Sequence, residues 1–354
     1  MSTALGRTRR VGLVATAAAV LVTGLAACTA SSDKPSTSAN SSRSSKPSKG
    51  PTHPGSGATP SGTGAAASVS SLGPSPTPDP VRVSHTIRGG GRVLRVTIPS
   101  STTFRPRPAY VYLPPVLATR PNQTLPVLEL LHGTPGQPAD WFTRGDLLAT
   151  ANAFAAAHHG SAPIMVVPDI NGAQRADSEC IRTTSGADVE TYLTRDVVAW
   201  VRRRFARAVG TRPWWVAGLS EGGICSIVLA LRHPTVYSAF GDLSGLLTPQ
   251  VEHQTPAQSD QTLFRGNAAD RAAHDPTWLL THRHYGALPA WFATGASDAR
   301  TLRAQTQLAV AARAAHLTVH AETRPGRHEW TVWSYELRVL VPWLWRYVGP
   351  TGGR

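Results

Sequence analysis

A serine flanked by two glycines, in the segment Gly218-Leu219-Ser220-Glu221-Gly222, is the first candidate for chemistry in this chain. The segment matches the pattern G-x-S-x-G, which occurs once in the sequence. The residues before it, 214–217, are strand-like, and those after it, 224–231, are helix-like. A strand, a sharp turn and a helix are what this motif needs to expose a reactive hydroxyl. We therefore predict that Ser220 is a nucleophile.

A serine hydroxyl needs a histidine that takes its proton and a carboxylate that orients the histidine and stabilises its charged form. In a sheet of this type the carboxylate and then the histidine follow the serine along the chain. Asp298 lies just after an apolar run that ends near Thr294, and His328 lies in the loop after the last predicted strand. We predict that Asp298 and His328 complete a catalytic triad.

Other residues near strand ends compete for these two roles. Asp242 and Glu329 are the rival carboxylates, and His316 and His320 are the rival histidines. Asp242 follows a different strand, and the two histidines lie before or within a strand rather than after it. The first assignment is therefore preferred.

Acyl transfer also needs two N–H donors that stabilise the negative oxygen of the tetrahedral intermediate. The backbone N–H of Glu221, directly after the nucleophile, is the first candidate. The second is the backbone N–H of Thr134, in the loop after the apolar run that ends in Leu131-His132-Gly133. His132 is interpreted as a structural turn residue and not as a catalytic base.

The segments that must position these residues alternate between strand and helix patterns. Residues 92–98 and 107–113 alternate apolar and polar side chains, as half-exposed antiparallel strands do. Further on, short apolar runs indicate buried parallel strands, and residues 190–206 have one apolar face, as a helix does. This alternation predicts a mostly parallel sheet with helices on both faces, in one domain at 81–350. The predicted strands are 125–131, 162–167, 213–218, 239–243, 288–294 and 317–322.

Glu129 lies inside one of these predicted strands. An ionised carboxylate in a buried strand is costly unless it is paired. We therefore expect an arginine partner for Glu129, or an orientation towards a sheet edge.

The N-terminal segment resembles an export signal. Three arginines within the first ten residues precede an apolar stretch at 11–22, which is too short to span a membrane comfortably. Leu25-Ala26-Ala27-Cys28 resembles a lipobox, in which the cysteine is acylated and becomes the new N-terminus. We predict a lipoprotein signal peptide at 1–27, lipidation at Cys28, and a location on the outer face of the cell membrane.

Residues 28–80 consist mainly of Ser, Thr, Pro, Gly and Ala, which is typical of a disordered tether. The whole chain carries a net charge of +14. Because the signal peptide predicts export, the expected polyanions are lipid headgroups and wall polymers, and no pattern of a nucleic-acid-binding module is present. The basic surface is equally consistent with an arginine-rich genome.

The two cysteines other than Cys28 are Cys180 and Cys225. In an oxidising compartment such a pair favours a disulfide over two free thiols. No cysteine spacing indicates a metal site, and His282 and His284 lack a nearby carboxylate pattern. We expect neither a metal nor a cofactor.

An ordered set of motifs over residues 90–346 resembles the esterase D and mycolyltransferase family of α/β-hydrolases, and is similar to its lipoprotein or membrane-anchored members in actinobacteria. The resemblance implies the α/β-hydrolase fold, the roles given above for Ser220, Asp298, His328 and the two N–H groups, and the pairing of the two cysteines. The motifs are His132-Gly-Thr-Pro-Gly, Val167-Pro-Asp-Ile-Asn, Glu179-Cys180, Glu190-Thr-Tyr-Leu, Gly218-Leu-Ser-Glu-Gly-Gly, Leu231-Arg-His-Pro and Gly326-Arg-His-Glu-Trp.

Members of that family often have methionine after the nucleophile, where this chain has Glu221. A negative charge beside a forming oxyanion lowers activity, and the family includes members that have lost catalysis. The expected function is a serine esterase or acyltransferase that acts on a carboxylic ester, with a lipid or a wall glycan among the candidate partners. The alternative is a catalytically silent protein of the same fold that binds a wall component or another ligand.

Overall fold

Nine strands form one mixed sheet in the part of the chain that the structure, a computed structural model, describes: residues 82–86, 90–102, 105–172, 176–182 and 187–349. The chain divides into two units, and all of these residues belong to the second, Leu72–Arg354. The predicted signal peptide, Cys28 and the tether lie outside the described residues. The strands are β1 Arg82–Thr86, β2 Arg92–Ile98, β3 Arg107–Leu113, β4 Val127–Leu131, β5 Ile164–Pro168, β6 Trp214–Leu219, β7 Tyr237–Leu243, β8 Pro289–Gly295 and β9 Thr318–Arg324.

The strand order is β1-β2-β3-β5-β4-β6-β7-β8-β9. The pairs β1/β2, β2/β3 and β3/β5 are antiparallel, and every pair from β5/β4 to β8/β9 is parallel. The sequence predicts two antiparallel strands at the N-terminal side, whereas the structure has three. Strand β1 was missed because its five residues contain a single apolar side chain, Val83, which gives no recognisable alternation.

Helices cover both faces of the sheet, as predicted. One face carries α3 and α11, and the other carries α5, α6, α9 and α10. Within the described residues no helix is both long and apolar enough to cross a membrane. The helices are α1 Val116–Thr119, α2 Asp140–Thr143, α3 Leu147–Ala157, α4 Val189–Thr191, which continues through a π-helical segment Tyr192–Val197 into α5 Val198–Arg204, α6 Glu221–Arg232, α7 Pro256–Phe264, α8 Ala268–Ala273, α9 Pro276–His282, α10 Ala299–Ala314 and α11 Trp330–Val348.

Strand β4 shows how the central strands fill both cores. All five of its residues are buried. Val127 and Leu131 pack against the helices on one face, and Leu128 and Leu130 pack on the other. Because consecutive side chains of a strand point to opposite faces, a strand covered on both faces has a nearly continuous apolar sequence. This is why the apolar runs of the sequence located the parallel strands to within a few residues.

Glu129, in the middle of β4, is fully buried, and its partner is not an arginine as expected. Its carboxyl accepts a hydrogen bond of 2.7 Å from the hydroxyl of Tyr237 at the start of β7. Burial raises the pKa of Glu129 to about 8, although the bond from Tyr237 lowers it in part. The group is therefore accommodated mainly as a neutral acid, which needs no cation.

Candidate active site

Ser220 occupies a sharp turn between β6 and α6. Its backbone has φ 55° and ψ −118°, a conformation that residues other than glycine rarely adopt. The Ser220 N–H donates to the carbonyl oxygen of Leu243 at the end of β7, at 2.9 Å. The turn therefore holds the Ser220 side chain at the carboxyl edge of the sheet.

The two glycines of the motif are required by close backbone approaches. A Cβ at Gly218 would lie 2.2 Å from the carbonyl oxygen of Gly222, which is far inside van der Waals contact. A Cβ at Gly222 would lie 2.5 Å from the carbonyl oxygens of Leu131 and His132, at the end of β4. Because glycine has no side chain, the first turn of α6 can pack directly against both β6 and β4.

Ser220, His328 and Asp298 form a continuous chain of hydrogen bonds. Nε2 of His328 lies 2.9 Å from Oγ of Ser220, and Nδ1 of His328 lies 2.7 Å from Oδ2 of Asp298. Oδ1 of Asp298 accepts the N–H of Thr301 at 3.4 Å, so this residue also caps α10. The cap and the histidine together fix the orientation of the carboxylate.

His328 lies in the loop between β9 and α11, and its side chain is 40% exposed, whereas that of Asp298 is 10% exposed. The Ser297 N–H donates to the Gly326 carbonyl oxygen at 2.9 Å, which ties this loop to the end of β8. Trp333, in the first turn of α11, packs edge-on against the imidazole with ring centroids 4.9 Å apart. The histidine is thus held on both sides while its Nε2 edge faces the cleft.

Of the rival residues, Glu329 borders the same cleft as Ser220, and the other three do not. Asp242 is fully buried in β7, where it accepts the Gly245 N–H at 2.8 Å, and burial raises its pKa to about 7. Glu329 precedes α11 and accepts the Arg327 N–H at 2.9 Å. His320 stacks on Trp291 within β9 with ring centroids 3.8 Å apart, and His316 follows α10.

The backbone N–H groups of Thr134 and Glu221 border the same cleft as Ser220. Within the part of the chain that the structure describes, neither N–H donates to another protein acceptor. Glu221 is the first residue of α6, where helix N–H groups lack partners and the helix dipole favours negative charge. Both donors are thus available to a ligand oxygen.

His132 is fully buried, and its ring nitrogens bond to backbone groups of Gly133 and Ile170. Its Nε2 accepts the Ile170 N–H at 3.2 Å, so Nδ1 carries the proton and donates to the Gly133 carbonyl oxygen at 2.9 Å. The imidazole therefore braces the loop that contains Thr134.

The side chain of Glu221 turns away from the nucleophile into a hydrogen-bonded cage that sequence reasoning missed. Its carboxyl contacts the Thr134 hydroxyl and accepts from Asn171 Nδ2 at 2.6 Å. It also accepts the N–H groups of Ser178 and Glu179, at 3.0 and 3.1 Å. Burial raises the pKa of Glu221, although these bonds offset part of the rise. The cage joins α6 to the loop of Thr134 and to the segment around residue 178.

The structure also contains the expected disulfide between Cys180 and Cys225, with Cα atoms 5.6 Å apart. It links the segment that follows the Glu221 cage to the second turn of α6.

Ser220 opens into a cleft of about 470 Å³. Trp330 and Trp333 supply apolar surface, and seven carboxylate residues and two arginines also line the cleft. Among the described residues no cluster of three or more His, Cys, Asp or Glu has the geometry of a metal site. His282, considered above for a metal, stacks on Trp278 with ring centroids 4.4 Å apart.

Residues 100–344 match the protein family described as "Putative esterase". The chain belongs to this esterase family. An uncharacterised protein of Corynebacterium glutamicum is 32% identical over 251 residues, which are 69% of this chain and 58% of the relative. The diacylglycerol acyltransferase/mycolyltransferase Ag85A of Mycobacterium tuberculosis is 28% identical over 193 residues, which are 46% of this chain and 56% of that protein. The chain thus spans less than two thirds of the length of these relatives.

Among solved structures, a ferulic acid esterase aligns with a TM-score of 0.63 and 22% identity, over 73% of this chain and 98% of the other. At this identity the similarity establishes the fold, which is the α/β-hydrolase fold predicted from the sequence.

Proposed function

We propose that this protein is an exported serine esterase or acyltransferase that forms an acyl-enzyme at Ser220. The observation that carries the proposal is the hydrogen-bonded series Ser220, His328 and Asp298. It lines the same cleft as Thr134 and Glu221, whose backbone N–H groups have no acceptor within the described residues. Membership of the esterase family supports the same reaction class.

In the proposed mechanism, Nε2 of His328 takes the proton of Ser220 while Oγ attacks the carbonyl carbon of the ester. Asp298 holds the Nδ1–H tautomer and stabilises the imidazolium that forms. The N–H groups of Thr134 and Glu221 donate to the oxyanion. When the tetrahedral intermediate collapses, His328 gives the proton to the departing alcohol, and the acyl group stays on Ser220.

In the second half-reaction His328 activates an incoming hydroxyl, which attacks the acyl-enzyme. Water as acceptor gives hydrolysis, and the hydroxyl of a lipid or wall glycan gives transfer. We further propose that a lipid on Cys28 holds the protein on the outer face of the membrane, close to such acceptors. The lipobox-like segment before Cys28 supports this location.

A fluorophosphonate probe tests the proposal, because it reacts covalently only with an activated serine. The native protein is expected to be labelled, and Ser220→Ala and His328→Ala are expected to remain unlabelled. Ser238→Ala and His320→Ala, which alter a serine and a histidine outside the cleft, serve as matched controls and should label normally. A folded native protein that takes no label would refute the esterase proposal and favour the catalytically silent alternative.

A further inference from the structure

The cleft beside Ser220 is acidic although the chain as a whole has a net charge of +14. Four of its seven carboxylates are accounted for. Asp298 holds His328, Glu221 fills its cage, and Asp140 and Glu329 accept N–H groups of neighbouring backbone. The other three form what we call the acidic wall, which consists of Asp177, Glu179 and Glu252.

Two buried oxygens of the acidic wall have no hydrogen-bond partner among the described residues. Glu179 is 2% exposed, and its Oε2 makes no hydrogen bond to any residue that the structure describes. Oδ1 of Asp177 is also buried and has no partner in the described part of the chain, while Oδ2 accepts the Glu252 N–H at 2.6 Å. Within the described residues neither Asp177 nor Glu179 has an arginine or histidine at ion-pair distance. Glu252, whose side chain is 45% exposed, pairs with the exposed His253 at 3.7 Å.

One oxygen of each of these two carboxyl groups therefore lacks, within the described residues, the donor that a buried polar atom normally has. Burial, together with the negative charges of Glu221 and Glu252, raises the pKa of Asp177 to about 7. Burial raises the pKa of Glu179 well above its usual value, and Asp177 and Glu221 add to the effect. A positively charged N–H donor would supply the missing hydrogen bond. It would also offset the neighbouring negative charges that raise these pKa values.

Glu179 is also held in place. It donates its N–H to Glu221 at 3.1 Å, and Cys180 next to it is tied to α6 by the disulfide with Cys225. Both Glu179 and Cys180 have a left-handed backbone, with φ of 49° and 53°. The carboxyl is therefore fixed relative to the helix that begins after Ser220, and a ligand does not need to order it.

We infer that the acidic wall is a subsite that selects esters carrying a primary ammonium or a guanidinium group. This inference rests on the proposed esterase or acyltransferase function. The unbonded Glu179 Oε2 and Asp177 Oδ1 favour a cation that has N–H donors over a quaternary ammonium, which has none. The two residues belong to the wall of the cleft that contains Ser220, so the cation is part of the substrate of that serine.

Two pairs of isosteric esters test the subsite. The first pair is the 4-nitrophenyl esters of 6-aminohexanoic and heptanoic acids, and the second is the butanoate esters of 6-aminohexan-1-ol and heptan-1-ol. The first pair places the charge on the acyl side of the ester, and the second pair places it on the alcohol side. In at least one pair the native protein should prefer the cationic ester by about tenfold in kcat/KM.

The variants Asp177→Asn and Glu179→Gln keep the size of the side chain and remove its charge. Each should reduce the preference to about twofold while the rate on the neutral ester stays within about threefold of native. Asp270→Asn, which removes the same charge from α8 outside the cleft, is the matched control and should keep the native preference. Calorimetric titration of the Ser220→Ala protein with hexylamine, compared with the same protein carrying Asp177→Asn, measures the subsite without turnover.

Turnover of the neutral esters with no preference for the cationic ones would overturn the subsite and leave the proposed function intact. A preference that both cleft variants retain would overturn it as well, because the selection would then come from elsewhere. If no ester is turned over and the fluorophosphonate probe does not label Ser220, the proposed function fails. In that case hexylamine binding that Asp177→Asn abolishes would still support a cation subsite, and absence of binding would overturn it.

Discussion

The cage around Glu221 makes this residue a test of how the oxyanion-binding loop is held. In Glu221→Ala, the Glu179 N–H loses its acceptor. The Ser178 N–H keeps a second acceptor, Asn171 Oδ1, at 3.0 Å, and Asn171 Nδ2 keeps the Thr134 hydroxyl at 2.8 Å. One buried donor without a partner costs about 1–3 kcal/mol. With the small cavity left by the side chain, we expect Glu221→Ala to lower the free energy of unfolding by about 2–4 kcal/mol.

Glu221→Gln keeps one oxygen for the Ser178 and Glu179 N–H groups and should cost about 1 kcal/mol. The backbone N–H at position 221 is unchanged in both variants. We therefore expect kcat/KM of Glu221→Gln to stay within about threefold of native, whereas Glu221→Ala, in which the Thr134 loop loses its tie to α6, should fall by about tenfold.

Urea denaturation followed by circular dichroism gives the free energies, and hydrolysis of 4-nitrophenyl butanoate gives the rates. Glu252→Ala, which removes an exposed carboxylate from the same cleft, is the stability control and should change the free energy of unfolding by less than about 0.5 kcal/mol. If Glu221→Ala is as stable as native, the cage does not hold the loop. If Glu221→Gln is much faster than native, the charge at this position opposes the oxyanion, as the sequence alone suggests.

Three further predictions concern the framework of the site. Gly218→Ala should destabilise the fold by more than about 3 kcal/mol, because its Cβ would meet the Gly222 carbonyl oxygen, and a thermal melt unchanged from native would contradict this. Asp298→Asn should lower kcat by about a hundredfold or more without loss of stability, since an amide favours the wrong histidine tautomer; stopped-flow and equilibrium unfolding separate the two effects. Glu190 is buried, but hydrogen bonds from His233, His274 and Arg232 outweigh burial and hold its pKa well below the usual 4.5. Its stabilising contribution is therefore complete above that unfolded-state value and lost as pH falls below it, so Glu190→Gln should flatten the loss of stability between about pH 5 and 3 in acid titrations.

The sequence was most informative where a residue's role is set by its neighbours along the chain. The motif around Ser220 and the strand ends before Asp298 and His328 are local signals, and the structure brings these three side chains within hydrogen-bond distance. The parallel strands were found for a similar reason, because a strand buried on both faces has a nearly continuous apolar sequence. Strand β1 carries too few apolar residues to give such a signal.

The features that could not be predicted from the sequence depend on contacts between segments that are far apart along the chain. The Tyr237 hydroxyl reaches Glu129 across the sheet, 108 positions along the chain. The Glu221 cage and the acidic wall are assembled from loops after β4, β5 and β7. Asn171 and Glu179 stand in motifs that carry the family resemblance, but nothing in their spacing shows that both contact the residue after the nucleophile.

Helix α6, which begins directly after Ser220, has a consequence for how the protein loses activity. Eleven of its twelve residues are buried, and it is fastened by glycine contacts at its start, by the disulfide in its second turn and by the Arg232–Glu190 ion pair at its end. Such an element opens only when the whole domain unfolds. Amide hydrogens of α6 should therefore be among the slowest to exchange, and thermal inactivation should coincide with global melting and not precede it.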